Sequence, residues 1–307
     1  MANAITIDDS AARDKAVGCF LGVAIGDSLG ASVEFAPRDS FPPVTSMRGG
    51  GPFRLKPGEW TDDTTMALCL AESLLANEKL DQQDLMNRFR AWLEKGENTV
   101  LGNCFDIGNT TRAAIESFIS DGDPAAGSGG PRTAGNGSLV RLAPLAILHR
   151  ANADAAATMA AEQSRTTHAA LESLDACKLF VVQLIDALNG ADRATVLRQR
   201  NMSLSPRLIS ISAGDWKKKT RDEIKSTGYV VDTFEAALWS VSKTDNFRDA
   251  VLTAVNLGDD ADSVGAVAGQ LAGALYGASA IPADWIAKLA WRDKIERLAG
   301  ALFDRGG

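Results

Sequence analysis

The stretch VGAVAGQLAGALYGASAI (residues 264–281) predicts the element around which the chain folds. Gly265, Gly269, Gly273 and Gly277 recur every four residues, which places them on one stripe of a helix that a second backbone can approach closely. The segment is uncharged and has the length of a membrane span, but it is poor in Leu, Ile and Phe, so its transfer into lipid would contribute little free energy. We therefore predict a central, tightly packed helix and no membrane span.

Helical periodicity also dominates the rest of the chain, and no run of alternating residues is long enough to predict a sheet. The predicted fold class is all-α. A chain of 307 residues, 45% hydrophobic and 23% charged, is expected to form one domain over residues 1–307. The predicted helices include residues 9–35, 62–76, 138–149, 166–189 and 284–303. Residues 203–228 are predicted to be irregular, and Val230 with Val231 is compatible with a short strand.

The charge pattern argues against several classes of protein. The net charge of −7 disfavours a surface that neutralises nucleic-acid phosphates or anionic lipids, because both require clustered Lys and Arg. The first sixteen residues carry charges that the core of a secretory signal lacks, so a cytoplasmic protein is expected. The cysteines form no CxxC pair and no zinc-like spacing, which indicates reduced, buried thiols at Cys19, Cys69, Cys104 and Cys177.

Two acidic clusters lie far apart in the sequence, each at the start of a predicted helix. Their candidate ligands are Thr61, Asp62 and Asp63 in the first cluster and Asp260, Asp262 and Ser263 in the second. Helix capping alone would explain the first cluster, with a contribution of about 0.5 to 1 kcal/mol, but three aspartates between two strongly apolar helices are hard to explain as a solvated face. Neither cluster contains a Lys or Arg, however, and carboxylates crowded away from water must be protonated, paired with cations or coordinated to a metal.

Oxygen ligands without thiolate or imidazole favour Mg²⁺ or Mn²⁺. Four aspartates with neighbouring hydroxyls exceed what one Mg²⁺ usually takes from protein, so we predict two divalent metal ions. Asp260 and Asp262 would face nearly opposite sides of a regular helix, so joint ligation requires an irregular turn, which Gly258 can provide. The prediction requires the region around residue 62 to fold against the region around residue 260.

Other polar residues have both a functional and a structural interpretation. Gly135, Asn136, Gly137 and Ser138 precede an apolar segment, where N–H groups at a helix start would bind phosphate, although a simple N-cap at Ser138 explains the same pattern. Glu34 precedes a long Pro- and Gly-rich loop and is either a mobile acid at a site entrance or an exposed residue at a helix end.

Asp106 and Asn109, in CFDIGNTT, are either site residues or ordinary turn and capping residues. His168, near the start of the predicted helix 166–189, either binds a ligand or fills a niche in the core. Two histidines and the lack of a GxSxG motif argue against a Ser-His-Asp hydrolase. No P-loop, and no GxGxxG after a strand, supports a nucleoside triphosphatase or a dehydrogenase.

Taken together, these motifs resemble the ADP-ribosylglycohydrolase family, and in particular its bacterial dinitrogenase-reductase-activating type. The resemblance rests, in chain order, on GCFLGVAIGDSLGASVEF, GEWTDDTTMAL, CFDIGNTT, GNGSLVRLAPLAI, THAAL, GYVVDTFEAALW and VNLGDDADSVGAVAGQLAGALYG. It extends over roughly residues 14–295. Ser263 stands where the family usually has Thr, which preserves the hydroxyl, and Asp259 stands where Gly or Asn is common.

The resemblance implies an all-α orthogonal helical bundle with a binuclear Mg²⁺ or Mn²⁺ centre. By that likeness the metal ligands would be Thr61, Asp62, Asp63, Asp260, Asp262 and Ser263. Glu34 would be the flexible acid beside the scissile bond, with Asp62, Asp106 and Asp260 as further catalytic residues. Substrate would contact Asn109, Gly135, Asn136, Gly137, Ser138 and His168.

The implied activity is a metal-dependent hydrolysis that removes ADP-ribose from arginine side chains of modified proteins by cleaving an N-glycosidic bond. One alternative keeps the fold and changes the bond to an O-linked ADP-ribose on serine or in an ester. Another is an immunity protein that binds and blocks a cognate ADP-ribosyltransferase. An ADP-ribosylated protein is the expected partner in the first two cases.

Overall fold

The computed structural model describes residues 8–77, 79–130 and 132–306, so the ends of the predicted 1–307 domain and Pro131 of its second long loop lie outside the described residues. The described chain is all-α, as predicted, and includes three short 3-10 helices. Its α-helices are α1 (Asp9–Gly30), α2 (Asp62–Ala76), α3 (Gln82–Lys95), α4 (Asn109–Asp121), α5 (Ala143–Leu148), α6 (Ala153–Arg165), α7 (Leu171–Leu188), α8 (Arg193–Val196), α9 (Pro206–Ala213), α10 (Val230–Ser242), α11 (Phe247–Val255), α12 (Ala261–Tyr276), α13 (Ala283–Lys288) and α14 (Arg292–Arg305).

Helices α1 and α12 pack antiparallel against each other, backbone to backbone, at the centre of the core. A Cβ atom added to Gly22 would lie 2.0 Å from the carbonyl oxygen of Gly269, and one added to Gly26 would lie 2.0 Å from that of Gly265. No side chain fits between the helices at these points, which confirms the close approach expected from the glycine stripe. The pairing brings the end of α1 beside the beginning of α12.

The start of α2 is attached to the same end of this central pair. Asp27 of α1 is fully buried, and its carboxylate accepts hydrogen bonds from the backbone N–H groups of Thr61 (2.8 Å) and Thr64 (3.0 Å) and from their hydroxyls (2.9 and 2.6 Å). Thr61 makes no side-chain cap of its own. A carboxylate from another helix therefore satisfies the free N–H groups at the start of α2.

Helix α1 ends at Gly30, so the prediction that it continues to Phe35 is wrong. Phe35 has a left-handed backbone, with φ of 61°. Its N–H bonds to the carbonyl of Asp259 (2.7 Å), and the N–H of Asp259 bonds to the carbonyl of Ala36 (2.9 Å). This pairing with a distant segment replaces the helical hydrogen bonds, and it leaves Glu34 buried in a turn.

Two further predicted helices are shorter than expected. Helix α5 begins at Ala143 instead of residue 138, because Pro144 fits only the first turn of a helix and would clash with the carbonyl four residues before it. Residues 166–189 are not one helix: α6 ends at Arg165 and α7 begins at Leu171. His168 therefore lies in the connection between α6 and α7.

Three other expectations also differ from the structure. The region 203–228 contains α9, which has Pro206 at its first position and Gly214, with φ of 80°, just past its end. Val230 and Val231 begin α10, so they are not a strand. Residues 284–303 form two helices, α13 and α14, separated at Trp291, whose φ is 55°.

All the α-helices contribute to one contiguous hydrophobic core. Within the described ranges, none of the helices is long and apolar enough to cross a membrane.

Candidate active site

A cleft of about 230 Å³ opens where the end of α1, the start of α2 and the start of α12 meet. It is lined by acidic, small and amide side chains from distant parts of the sequence: Glu34, Phe35, Asp62, Asp63, Asp106, Gly108, Asn109, Thr110, Thr111, Gly135, Asn136, Gly137, His168, Gly228, Asp260, Asp262 and Ser263. Every residue predicted for the site lines this cleft except Thr61 and Ser138.

The two acidic clusters of the sequence lie side by side in the cleft. The Oγ1 atom of Thr61 is 3.3 Å from Oδ2 of Asp262, across 201 positions of sequence. Asp63 and Ser263, from the same two segments, both line the cleft. The clusters are therefore close enough for their oxygens to surround common cations.

Asp260 and Asp262 both face the cleft because the backbone before α12 is irregular. Gly258 has φ of 73°, and Asp260 lies outside the helix at its N-cap with φ of −86° and ψ of 57°. Asp262 follows within the first turn. The turn expected at Gly258 is thus present. Asp259 has φ of 54° and is exposed, so it is not part of the cleft.

Carboxylates accumulate here without cationic partners. Within the part of the chain that is described, none of the site carboxylates forms an ion pair with Lys or Arg; they are Asp27, Glu34, Asp62, Asp63, Asp106, Asp260 and Asp262. Buried oxygens of Glu34, Asp63, Asp106 and Asp262 also find no hydrogen-bond donor among the described residues. Such oxygens require protons or cations.

The pKa values of the site carboxyl groups are raised by this crowding of negative charge. Burial, together with the neighbouring negative charges of Asp106 and Asp260, raises the pKa of Glu34 to about 10. Burial and the charge of Asp27 raise the pKa of Asp106 to about 7. The pKa values of Asp62 and Asp262 lie well above the ordinary range for the same reasons. Several negative charges cannot coexist here at neutral pH without compensation.

Glu34 and Asp106 form a carboxyl pair at the wall of the cleft. One oxygen of each lies with an oxygen of Asp262 inside a 4.8 Å group that could hold a metal ion. Of the two carboxyls, Glu34 has the higher pKa, about 10 against about 7, so a proton on the pair is held by Glu34. Glu34 is 6% exposed, so it is not an exposed helix-end residue.

Asn136 holds Asp260 in place. Its Nδ2 atom donates to Oδ2 of Asp260 (2.5 Å) and to Oγ1 of Thr233 (2.8 Å). The backbone N–H of Asp260 is bound by the carbonyl of Ser226 (2.9 Å). The side chain of Asn136 was predicted to contact substrate. Its N–H groups instead donate to an acidic residue of the site and to Thr233 of α10.

The turn at residues 135–137 passes directly over the ring of His168. A Cβ atom at Gly135 would be 3.0 Å from Nε2 of His168, and one at Gly137 would be 2.9 Å from Cε1. Ser138 points the other way, because its buried hydroxyl contacts Ser164 (2.8 Å) and Cys177 (3.4 Å). The side chain of Ser138 is therefore unavailable to a ligand, and this turn is not the start of an α-helix.

Sequence reasoning missed six residues of the site: Asp27, Phe35, Gly108, Thr110, Thr111 and Gly228. Asp27 supports Thr61 and Thr64, and the signal for it was a charged residue within the apolar helix α1. Gly228 lines the cleft opposite Asp260, where a Cβ would lie 3.6 Å from its carboxylate. Phe35 lines the cleft with its side chain 64% exposed, and nothing in the sequence distinguishes it from an ordinary apolar residue.

Several known proteins are similar to this chain over most of its length. A family model described as ADP-ribosylglycohydrolase matches residues 8–307. The chain is 52% identical over 302 residues to "ADP-ribosylarginine hydrolase Tri1" of Pseudomonas putida (strain GB-1), a match that covers 98% of this chain and 81% of that protein. It is 35% identical over 289 residues to the ADP-ribosyl-dinitrogen reductase glycohydrolase of Rhodospirillum rubrum, with 93% and 92% covered. A solved structure named "ADP-ribosylglycohydrolase-related protein complex" superposes with a TM-score of 0.87 at 42% identity, and the match covers 97% of this chain and all of that one.

Proposed function

The chain belongs to the ADP-ribosylglycohydrolase family, and we propose that it removes ADP-ribose from modified arginine side chains of proteins by hydrolysing the N-glycosidic bond. The observation that carries this proposal is that the two acidic clusters meet at one cleft, where Oγ1 of Thr61 lies 3.3 Å from Oδ2 of Asp262. The chain is also 52% identical to a protein named ADP-ribosylarginine hydrolase. We further propose that residues 1–307 act as one catalytic domain. A cytoplasmic location and a cognate transferase stay predictions from the sequence.

The donor set fits divalent metal ions. The unpartnered buried oxygens of Asp63 and Asp262 and the hydroxyls of Thr61 and Ser263 are hard ligands, and thiolates and imidazoles are absent from the acidic clusters. We propose that Thr61, Asp62, Asp63, Asp260, Asp262 and Ser263 hold two Mg²⁺ or Mn²⁺ ions. When bound, these ions would neutralise the carboxylates, bind the hydroxyls of the terminal ribose and lower the pKa of a water molecule.

The reaction requires one proton to leave the attacking water and one to reach the departing nitrogen. The water oxygen bonds to C1″ of ADP-ribose while the C1″–N bond breaks, and the electron pair of that bond stays on the guanidine nitrogen. Glu34, whose raised pKa favours its protonated form beside Asp106, is suited to supply that nitrogen with a proton. Asp62, which is half-buried in the cleft, is suited to accept the proton of water.

The rest of the substrate requires more space than the acidic cleft provides. A neighbouring groove of about 480 Å³ shares Asn109 and Thr110 with the cleft and is lined further by Ser128, Arg132 and Thr133. We propose that the terminal ribose enters the acidic cleft beside His168 and the turn at residues 135–137, and that the ADP portion extends into this groove.

Release of ADP-ribose from an arginine-modified protein, with and without chelator, tests the proposal. Wild-type protein is expected to release ADP-ribose with Mg²⁺ or Mn²⁺ and to stop when the metal is removed. Asp62→Asn should lower the rate by about 100-fold or more, because it removes a metal ligand and the base together. Asp259→Asn is the matched control, since Asp259 is in the second acidic segment but faces solvent.

A serine-linked substrate, assayed in parallel, separates the N-glycosidic from the O-glycosidic activity. Faster release of ADP-ribose from serine than from arginine would show that the O-linked form, and not the arginine-linked form, is the preferred substrate. Full activity of Asp62→Asn in chelator would contradict the mechanism itself.

A further inference from the structure

Arg141 is a fully buried arginine that has no acidic partner among the residues described. Its guanidinium donates to the side chain and carbonyl of Gln163 (2.8 and 3.0 Å) and to the hydroxyls of Thr166 (3.2 Å) and Thr167 (2.9 Å). It also lies 4.7 Å from the ring centre of Phe89. Burial of a charged guanidinium among neutral acceptors costs free energy, which indicates that Arg141 has a role beyond packing.

The hydroxyl of Thr167 connects Arg141 to the cleft. Its Oγ1 atom is 2.9 Å from Nη2 of Arg141 and 2.9 Å from Nδ1 of His168. A guanidinium can only donate, so Thr167 accepts from Arg141. Its single proton then has one acceptor within reach in the described structure, Nδ1 of His168. The arrangement that satisfies every group therefore leaves Nδ1 without a proton.

The other nitrogen of the ring, Nε2, lies under the glycine turn that lines the cleft. Nε2 of His168 lies beneath Gly135 and Gly137, and the ring lines the cleft. No described side chain or backbone group accepts a hydrogen bond from Nε2. A neutral imidazole whose Nδ1 accepts carries its proton on Nε2, so the cleft wall presents a donor at this point.

We propose that Arg141, acting through Thr167, fixes His168 as the neutral imidazole with its proton on Nε2, and that this N–H binds an acceptor atom of ADP-ribose. The inference rests on the proposed function only for the identity of that ligand. Arg141 and Thr167 are positioning residues, because neither lines the cleft. Burial and the charge of Arg141 also lower the pKa of His168 to about 3, which agrees with a neutral ring.

The chain has only two histidines, so nitrogen NMR of ¹⁵N-labelled protein can read the tautomer directly. His149→Gln assigns the remaining signals to His168. We expect Nε2 to resonate as a protonated nitrogen and Nδ1 as an unprotonated one, and we expect the Nε2 signal to shift when ADP-ribose is added with Mg²⁺. A proton on Nδ1, a doubly protonated ring, or an Nε2 signal that does not respond to ADP-ribose would overturn the inference.

Three threonine variants test the connection. Thr167→Val keeps the shape but loses the hydroxyl, so a measurable fraction of the Nδ1–H tautomer should appear, and KM should rise about three- to tenfold with little change in kcat, the effect of one lost neutral hydrogen bond to substrate. Thr167→Ser should restore both values. Thr166→Val is the matched control, because Thr166 contacts Arg141 but not His168.

If Thr167→Val changes neither the tautomer nor KM, the role of Arg141 and Thr167 is refuted. The NMR readouts do not require turnover. A wild-type protein that shows the Nε2–H tautomer and the shift with ADP-ribose, yet releases none from modified arginine, would refute the proposed function and leave this inference standing.

Discussion

The hydroxyl of Thr61 lies within hydrogen-bonding distance of two buried carboxylates, 2.9 Å from Oδ1 of Asp27 and 3.3 Å from Oδ2 of Asp262. A hydroxyl has one proton, so it can donate a hydrogen bond to only one of these carboxylates. The shorter distance indicates that it donates to Asp27. Asp262 is then left to a cation or to a proton of its own, and the two acidic segments repel each other unless one is supplied.

Replacing Asp262 should therefore have opposite effects with and without metal. Asp262→Asn removes a buried carboxyl that is either charged or protonated at a cost, so in chelator the variant should melt at a higher temperature than the wild type, with an unfolding free energy larger by about 1 to 2 kcal/mol. With millimolar Mg²⁺ the wild type should gain more stability than the variant, because metal binds the folded state. Thermal unfolding measures both. Asp259→Asn should change the response to Mg²⁺ little, and a wild-type protein that melts alike in Mg²⁺ and chelator would contradict the metal site.

Stability without metal should fall as the pH rises. The folded-state pKa of Glu34 is about 10 against an ordinary 4.5, and that of Asp106 about 7 against 3.8. A pKa raised on folding means that the folded state binds the proton more tightly, so stability is fully present below the unfolded-state pKa and is lost as the pH rises through the folded-state pKa. Chelator-treated protein should therefore become less stable between about pH 5 and 9.

Saturating Mg²⁺ is expected to reduce this slope, because the ions replace the lost protons. Urea unfolding at each pH gives the free energies. A metal-free protein that is equally stable across this range, or more stable at the alkaline end, would show that the carboxylates are not crowded as described.

Asp27 should contribute more to stability than an ordinary helix cap. Asp27→Ala leaves two N–H groups and two hydroxyls at the start of α2 without their buried acceptor, so we expect a loss of about 2 to 4 kcal/mol. Asp8→Ala is the comparison, since Asp8 caps α1 by a single exposed bond to Ala11 and should cost about 1 kcal/mol. Urea unfolding of both variants in chelator separates the two effects. Equal losses would indicate that Asp27 is an ordinary cap.

The contact between α1 and α12 should not tolerate a methyl group. Gly22→Ala would place its Cβ 2.0 Å from the carbonyl oxygen of Gly269, so one helix must shift. We expect a loss of about 3 kcal/mol or more, and weaker metal binding, because Asp262 lies in the first turn of α12, which packs against the end of α1. Gly129→Ala meets its nearest atom at 3.6 Å and should cost little. A Gly22→Ala protein as stable as the wild type would mean that the helices are not in backbone contact.

Local patterns were sufficient for the central helices and for most of the cleft. The spacing of Gly265, Gly269 and Gly273 predicts the face of α12 that another backbone contacts, because the period of a helix alone decides which residues share a face. The acids at the starts of α2 and α12 were identifiable because their clustering without Lys or Arg has few explanations.

Residues whose roles depend on a distant partner were not predictable in this way. Nothing in the sequence pairs Phe35 with Asp259, which ends α1 early, or places Arg141 beside Thr167. The sequence predicts His168 inside a helix, because helical periodicity does not reveal that the preceding threonines bond to a buried guanidinium.

The sequence by itself determined that the protein is helical, that a glycine-lined helix lies at its centre and that its two acidic segments are candidate ligands of cations. Only the tertiary structure decided that Asp27 caps α2, that Glu34 is buried against Asp106 and that Ser138 turns away from the cleft. The physical reason is that helical faces follow from the local geometry of the chain, whereas the burial and hydrogen bonding of a polar group depend on which distant segment packs against it.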